Sequence, residues 1–184
     1  MKNTIKITLD NMSYKKKPSA KEVARIQTRL KKVDSVKEVT IEDLLNYIKL
    51  GHTIVPSIMS GGTKRENWLE QQIFEIDIDN TEDNKIIKAE EAIKLFVDNN
   101  LPPFAYYYTF SSTVVKPKFR ILFKTAEPIT EINKAEFIIK TLVDFAPQAD
   151  KACTNVSRLF HGTNGEEKEV IMLDKNAIIT LDNV

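Results

Sequence analysis

The sequence predicts a mixed α+β protein with a mainly antiparallel sheet flanked by helices and preceded by an N-terminal αβ portion. Three observations carry this. Runs such as Phe74–Asn80 and Lys118–Lys124 alternate apolar with polar residues, the period of a strand. Stripes at helical spacing, three of them opened by an N-cap candidate (Ser19, Thr40 and Thr130), stand between such runs. The polar turn Ser111–Pro117 joins an aromatic strand to a returning one, which sets the two antiparallel.

In chain order, Ile5, Ile7 and Leu9 mark an opening strand, and Tyr14-Lys15-Lys16-Lys17-Pro18 is a basic loop. Such a loop is either a solvated turn or a contact to phosphates. Ser19 caps the next helix, with Glu22 completing a capping box; Val23, Ile26, Leu30 and Val33 form its expected buried stripe. Thr40 and Asp43 repeat the device before Ile41, Leu44, Leu45 and Ile48, and Gly51 stops that helix. His52–Met59 reads as a strand broken by Pro56, hence near a sheet edge or a bulge. His52 is either a ligand or, as a lone histidine beside a helix end more often is, a structural residue. After the glycine-rich stretch Ser60–Trp68 comes the acidic strand, ending in the polar turn Asn80-Thr81-Glu82-Asp83-Asn84. A helix follows, with Ile86, Ala89, Ile93, Phe96 and Val97 inward, and then the strand Phe104–Phe110. Its tyrosines 106, 107 and 108 point to alternating faces. The returning strand Lys118–Lys124 precedes a helix opened by Thr130, with Ala135, Ile138, Leu142 and Phe145 inward and Pro147 closing it. The polar, aperiodic stretch Ala149–Gly165 has the character of a site-forming segment, and short strands are expected near 169–173 and 177–181.

The chain has 184 residues, enough for one domain with a sizeable core. Lysine and arginine total 27 against 26 acids, so contact with nucleic acid has to come from local patches. The single cysteine, Cys153, excludes an intramolecular disulfide framework and a thiolate zinc cluster. No apolar run approaches the ~20 residues of a membrane span, and a soluble cytoplasmic protein is expected.

Asp77 and Asp79 leave the acidic strand on one face. Residues two apart on a strand lie roughly 6.5 Å apart at Cα, so the two carboxylates can lean over a shared divalent cation through the oxygen ligands that Mg²⁺ prefers. Such D-x-D pairs also occur in glycosyltransferases, phosphatases and nucleases, and on ordinary solvated strands. The returning strand carries Lys118, Arg120 and Lys124 on one face, which sets guanidinium for phosphate oxygens beside carboxylates for metal. Gly61-Gly62 with Lys64 and Arg65 can turn around a phosphate or form a plain hairpin loop; without a following Gly-Lys-Ser/Thr it is no P-loop.

Taken together, three ordered motifs resemble the catalytic domain of the archaeo-eukaryotic primase superfamily, in its plasmid and phage primase-polymerase branch. Phe74–Asn80 is similar to the family's hydrophobic-Asp-hydrophobic-Asp motif, preceded here by Gly51-His52-Thr53 and Asn67-Trp68. Thr109–Thr113 followed by Lys118–Phe123 resembles the second motif. Asp150, with Ser157-Arg158-Leu159-Phe160 and Gly162-Thr163-Asn164 downstream, resembles the third. The likeness spans roughly Lys37 to Lys168. It implies an RRM-like primase-polymerase palm in a single domain over 1–184, with 1–50 as the N-terminal strand and helices and 51–184 as the catalytic core.

The implied activity is that of a metal-dependent, template-directed nucleotidyltransferase, a DNA primase and polymerase of plasmid, phage or mobile-element replication. Asp77, Asp79 and Asp150 would hold Mg²⁺ or Mn²⁺. Arg120, Arg158, Lys118, Ser111, Ser112, Ser157 and His161 would serve the nucleotide, an NTP or a dNTP. Lys64, Arg65, Trp68 and Tyr107 would contact a single-stranded DNA template or primer, with Trp68 or Tyr107 stacking on a base. A replicative helicase is an implied partner. One departure stands out: where the family usually has a histidine on the returning strand, this chain has Arg120. Arginine grips phosphate but cannot shuttle protons. Two alternatives follow, a catalytically weak primase-like module that binds DNA, nucleotide or a replication partner, and a D-x-D nuclease. His161 is a candidate to replace the missing imidazole.

Overall fold

The computed structural model describes residues 4–82 and 85–180. Asp83 and Asn84 of the expected polar turn, and Leu181 of the last expected strand, lie outside the described residues. Among the described residues the chain forms nine strands and four α-helices. The α+β class and the antiparallel pairing are as the sequence predicts, but the strands divide into two sheets. Strands β1 (Thr4–Ser13), β2 (Val36–Thr40), β3 (His52–Val55) and β8 (Phe160–His161) make a sheet in the order β2-β1-β3-β8. Strands β4 (Ser57–Met59), β5 (Trp68–Ile78), β6 (Ala105–Tyr108), β7 (Phe119–Ile129) and β9 (Val170–Met172) make a second in the order β4-β5-β7-β6-β9.

Pro56 is where the chain passes from one sheet to the other. It has no N–H to donate to a ladder, so the run His52–Met59 breaks there, and β4 becomes an edge strand of the second sheet while β3 lies inside the first. The sequence places the whole run at an edge or bulge; only its second half is at one. Thr8 of β1 holds the two sheets together, its hydroxyl donating to the Ser57 carbonyl at 2.8 Å and accepting from the Met59 N–H at 3.2 Å.

Helix α1 (Ala20–Leu30) starts on the Ser19–Glu22 capping box and α2 (Ile41–Lys49) on the Thr40–Asp43 box. Each cap satisfies N–H groups that have no partner within the helix, an effect of about 1 kcal/mol. Ile41, Leu44, Leu45 and Ile48 are all buried. On α1 only Ile26 and Leu30 are fully buried, and Val33 is 94% exposed. The helix ends at Leu30, and Val33 sits in the following 3-10 turn, out of phase with the stripe. The end of α2 is capped from afar: the N–H groups of Thr163 and Gly165 donate to the carbonyls of Ile48 and Lys49 at 2.8 and 2.9 Å.

The face of the second sheet formed by Phe74, Ile76, Ile78, Phe119, Ile121 and Phe123 is buried, and Phe96 of α3 (Ala89–Asp98) meets Phe123 edge-on at 4.8 Å between ring centroids. Phe145 of α4 (Ile132–Phe145) lies 5.4 Å from Phe96. Ile86 and Val97 are exposed, contrary to the expected stripe: Ile86 precedes α3, and Val97 is on its outer side. Strand β2 carries too short and too polar an alternation to be read from sequence. The strand expected near 177–181 reduces to one parallel bridge between Thr125 and Ile179.

Candidate metal and nucleotide site

Asp77 lies near the end of β5 and Asp79 just beyond it. Asp150 reaches them through the main chain: Ala149 bridges Ile78 in antiparallel fashion, the Asp150 N–H donates to the Asp77 carbonyl at 2.8 Å, and the Asp79 N–H donates to the Gln148 carbonyl at 3.2 Å. One carboxylate oxygen from each of Asp77, Asp79 and Asp150 lies within 4.8 Å of the others. Gln148 at φ 63° and Asn80 at φ 46° take the left-handed conformation at the two ends of this junction. Asn80 is fully buried; its amide donates to the carbonyls of Ile87 and Pro117 at 2.9 and 2.7 Å and accepts from the Ile87 N–H at 2.9 Å. That asparagine ends the strand just past Asp79 and ties three loops together.

Each carboxylate has a cation beside it. Arg158 Nη2 is 2.6 Å from Asp150 Oδ2 and 4.0 Å from Asp77 Oδ2, Lys118 Nζ is 3.1 Å from Asp79 Oδ1, and Arg120 Nη2 is 3.3 Å from Asp77 Oδ2. Partial burial would raise the Asp150 pKa, but the Ala152 N–H and the Arg158 guanidinium outweigh it and hold the pKa below the ordinary carboxylate value.

Behind these groups lies a buried network. The register pairs Asp77 with Arg120 and Arg120 with Tyr107, so Glu75, Asp77, Arg120 and Tyr107 share one face of the sheet. Arg120 Nη1 donates to the Tyr107 hydroxyl at 2.9 Å and to the His161 carbonyl, and its guanidinium lies 5.3 Å from the centroid of the Phe160 ring. Tyr107 in turn donates to Glu75 Oε1 at 2.6 Å. Burial of Glu75 pushes its pKa up to about 7, against the pull of Arg120. Burial disfavours the Arg120 charge too, yet Asp77, Tyr107 and Glu75 outweigh it and keep the guanidinium above its usual pKa. A half-buried strand with a solvated acidic face is what alternation predicts. Instead Glu75 and Asp77 are buried, on a face where Arg120 and Tyr107 meet the His161 carbonyl and the Phe160 ring of β8.

The cleft over the aspartates has a volume of about 470 Å³, and Lys118, Arg120, Arg158, His161 and Ser111 line it with them. His161 Nδ1 is 2.8 Å from Thr53 Oγ1, and burial, helped by Arg120, Lys17 and Arg158, pushes its pKa down to about 4. A larger cavity of about 670 Å³ lies across the 111–117 turn and contains none of the three aspartates.

Other expected site residues lie elsewhere. Ser112 is buried, accepts from the Lys118 N–H at 3.0 Å and faces the larger cavity. Ser157 is buried, with its hydroxyl donating to Asn155 Oδ1 at 2.8 Å. Arg65 makes a two-pronged bond to Glu136 of α4, at 2.5 and 2.8 Å, and Lys64 lies 3.6 Å from Glu66. Trp68 is 8% exposed and Tyr107 is fully buried, so neither presents a ring face on which a base can stack. Sequence reasoning passed over Glu75, although its parity on the strand equals that of Asp77. It also passed over Val23 and Gln27 of α1, which line the cleft and which only the tertiary fold brings there.

The donor set fits a divalent metal. It consists of carboxylate oxygens, the ligands of hard cations, and Asp77 Oδ1 is buried without a hydrogen-bond partner among the described residues. Buried polar atoms seldom stay unpaired, and a cation is the partner three converging carboxylates call for.

No protein-family model matches the chain, and no curated protein matches it. Among solved structures it is similar to the AEP domain of the primase-polymerase of cyanophage S-2L, at 13% identity over 76% of each chain with a TM-score of 0.47. Among the described residues, no helix is long and apolar enough to cross a membrane.

Proposed function

We propose that the chain is a metal-dependent nucleotidyltransferase that builds a nucleic-acid strand on a template, as DNA primase-polymerases do. The observation that carries the reading is the meeting of Asp77, Asp79 and Asp150, distant in sequence, with oxygens within 4.8 Å of one another. The motif resemblance over Lys37–Lys168 supports it.

Asp77, Asp79 and Asp150 would hold Mg²⁺ or Mn²⁺; when bound, the metal supplies a lowered pKa for the attacking hydroxyl and Lewis-acid stabilisation of the phosphate oxygens. The protein's share is positioning and charge, which dominate phosphoryl transfer. Arg158 and Lys118, about three-quarters buried on the cleft wall, exchange a carboxylate oxygen for a phosphate oxygen of the triphosphate. Ser111 is exposed at the cleft and can donate to the same oxygens. Arg120 is held through Nη1 by Tyr107 and the His161 carbonyl and through Nη2 by Asp77, while its Nε is buried without a hydrogen-bond partner among the described residues; it orients Asp77. His161 is neutral at pH 7 and serves as a hydrogen-bonding partner rather than a cation.

The test is nucleotide incorporation on a primed single-stranded template with Mn²⁺, comparing the unaltered protein with Asp77→Asn. Loss of product and of Mn²⁺ binding with an unchanged circular-dichroism spectrum is expected. Equal incorporation by the variant refutes the reading, and strand degradation in its place selects a nuclease. The fixed Arg120 favours a second reading, a module that binds nucleotide and strand without efficient chemistry; tight metal-dependent binding with no product selects it.

A further inference from the structure

The chain's charge is nearly balanced as a whole but not along its length. Between Tyr14 and Lys32 lie eight of the 27 lysines and arginines and one of the 26 acids, so this stretch carries a formal +7 and the remaining residues a net −6. Arg29 is used within the fold, held by Asp10 at 2.5 and 2.7 Å, and Lys15 lies 3.1 Å from Glu166. Lys16, Lys17, Lys21, Arg25, Lys31 and Lys32 are exposed, and none forms an ion pair among the described residues. Like charges that lie close together on this stretch repel one another, and binding an anion relieves that repulsion.

The position of this stretch narrows the choice of anion. Lys17 lines the acidic cleft with Val23 and Gln27 of α1, and its charge is felt by His161, which lines the same cleft. Lys16 and Arg25 both lie close enough to Glu22 to draw its pKa down, after the bonds it accepts from Ser19. Lys21 and Arg25 are one helical turn apart and share a face. Exposed cations therefore stand on α1, on its N-terminal loop and at the cleft, with Glu22 the one acid among them. By contrast Arg65 is engaged by Glu136, and neither Trp68 nor Tyr107 is accessible.

We infer that this basic track, Lys16, Lys17, Lys21 and Arg25, binds the phosphate backbone of a single nucleic-acid strand and leads it into the cleft. The inference rests on the nucleotidyltransferase reading for the direction of the strand, and its test does not depend on catalysis. Contact is electrostatic and indifferent to sequence, since the track offers charges and no exposed aromatic platform.

The experiment measures anisotropy of a fluorescein-labelled oligothymidylate with the full chain at a series of salt concentrations, in the presence of EDTA. The variant is Lys16→Glu/Lys21→Glu/Arg25→Glu, whose side chains are exposed; circular dichroism and Mn²⁺ binding report that the fold and the aspartates are intact. Loss of three phosphate contacts should lower the slope of log K against log salt by about 2 and weaken binding tenfold or more at low salt. Lys64→Glu/Arg65→Glu should change either by much less. Unaltered affinity and slope in the triple variant, or a larger loss in the Lys64/Arg65 variant, overturns the inference. So does binding of poly-glutamate of equal charge as tightly as the strand, which would assign the track to an acidic protein. An Asp77→Asn protein that still incorporates nucleotide refutes the function proposed above and leaves the strand measurement intact.

Discussion

Glu75 and His161 flank the same guanidinium and should impose opposite pH dependences on folding. Glu75 has a folded pKa of about 7 against 4.5 for a free carboxyl, so between these values the folded chain holds a proton that the unfolded chain has released. Its contribution to stability is therefore lost as pH rises. His161 has a folded pKa of about 4 against 6.5, so the unfolded chain holds the extra proton and stability is lost as pH falls. With 1.36 kcal/mol per pH unit for a full proton difference, each group should contribute a slope of about 1 kcal/mol per unit, opposite in sign, between about pH 5 and 6.5. In the unaltered chain the two nearly cancel.

Each variant exposes the other group's slope. Glu75→Gln, which keeps an acceptor for the Tyr107 hydroxyl, should gain about 1.5 kcal/mol of stability from about pH 5 to 6.5. His161→Asn should lose about as much over the same interval. Urea unfolding monitored by tryptophan fluorescence in EDTA measures both. If the two variants keep the pH profile of the unaltered chain, the buried-network account of Glu75 and His161 is wrong.

Tyr107→Phe removes the donor to Glu75 Oε1 and an acceptor for Arg120, leaving a buried carboxyl oxygen unpaired; urea unfolding should show a loss of about 1–3 kcal/mol. Asn80→Ala deletes three hydrogen bonds at a left-handed backbone position. It should cost more than Asn80→Gly, which keeps the backbone conformation accessible, and weaker Mn²⁺ binding by calorimetry should accompany the loss. Gly162→Ala would set a Cβ 2.5 and 2.7 Å from the carbonyl oxygens of Ile48 and His52; a lowered midpoint in thermal unfolding is expected, since only backbone can give way there. Arg65→Ala, which breaks an exposed pair with Glu136, should change stability by less than about 1 kcal/mol.

Local patterns carried much of this structure. The two capping boxes, the alternation of β5 and β7, and the glycine stop at Gly51 depend on residues a few positions apart. Asp150 was legible only through its resemblance to a motif, because its approach to Asp77 depends on main-chain bonds between distant segments. What alternation cannot tell is how many faces of a strand are covered. Glu75 therefore reads like a solvated residue, although it is fully buried beside Tyr107 and Arg120. Nor does a basic run reveal where its loop docks, and the cleft-facing position of Lys17 belongs to the packing of α1 alone. Exposed Trp68 and Tyr107 were expected from the function implied; burial of large aromatics in a core was the stronger force.

The splice between the end of β5 and the segment before Asp150 is made of peptide groups. Replacing any of the three acidic side chains leaves those peptide links untouched. Isosteric amides at 77, 79 and 150 thus form a set in which the scaffold is held constant while charge is removed one unit at a time, and differences among them report chemistry rather than collapse of the framework.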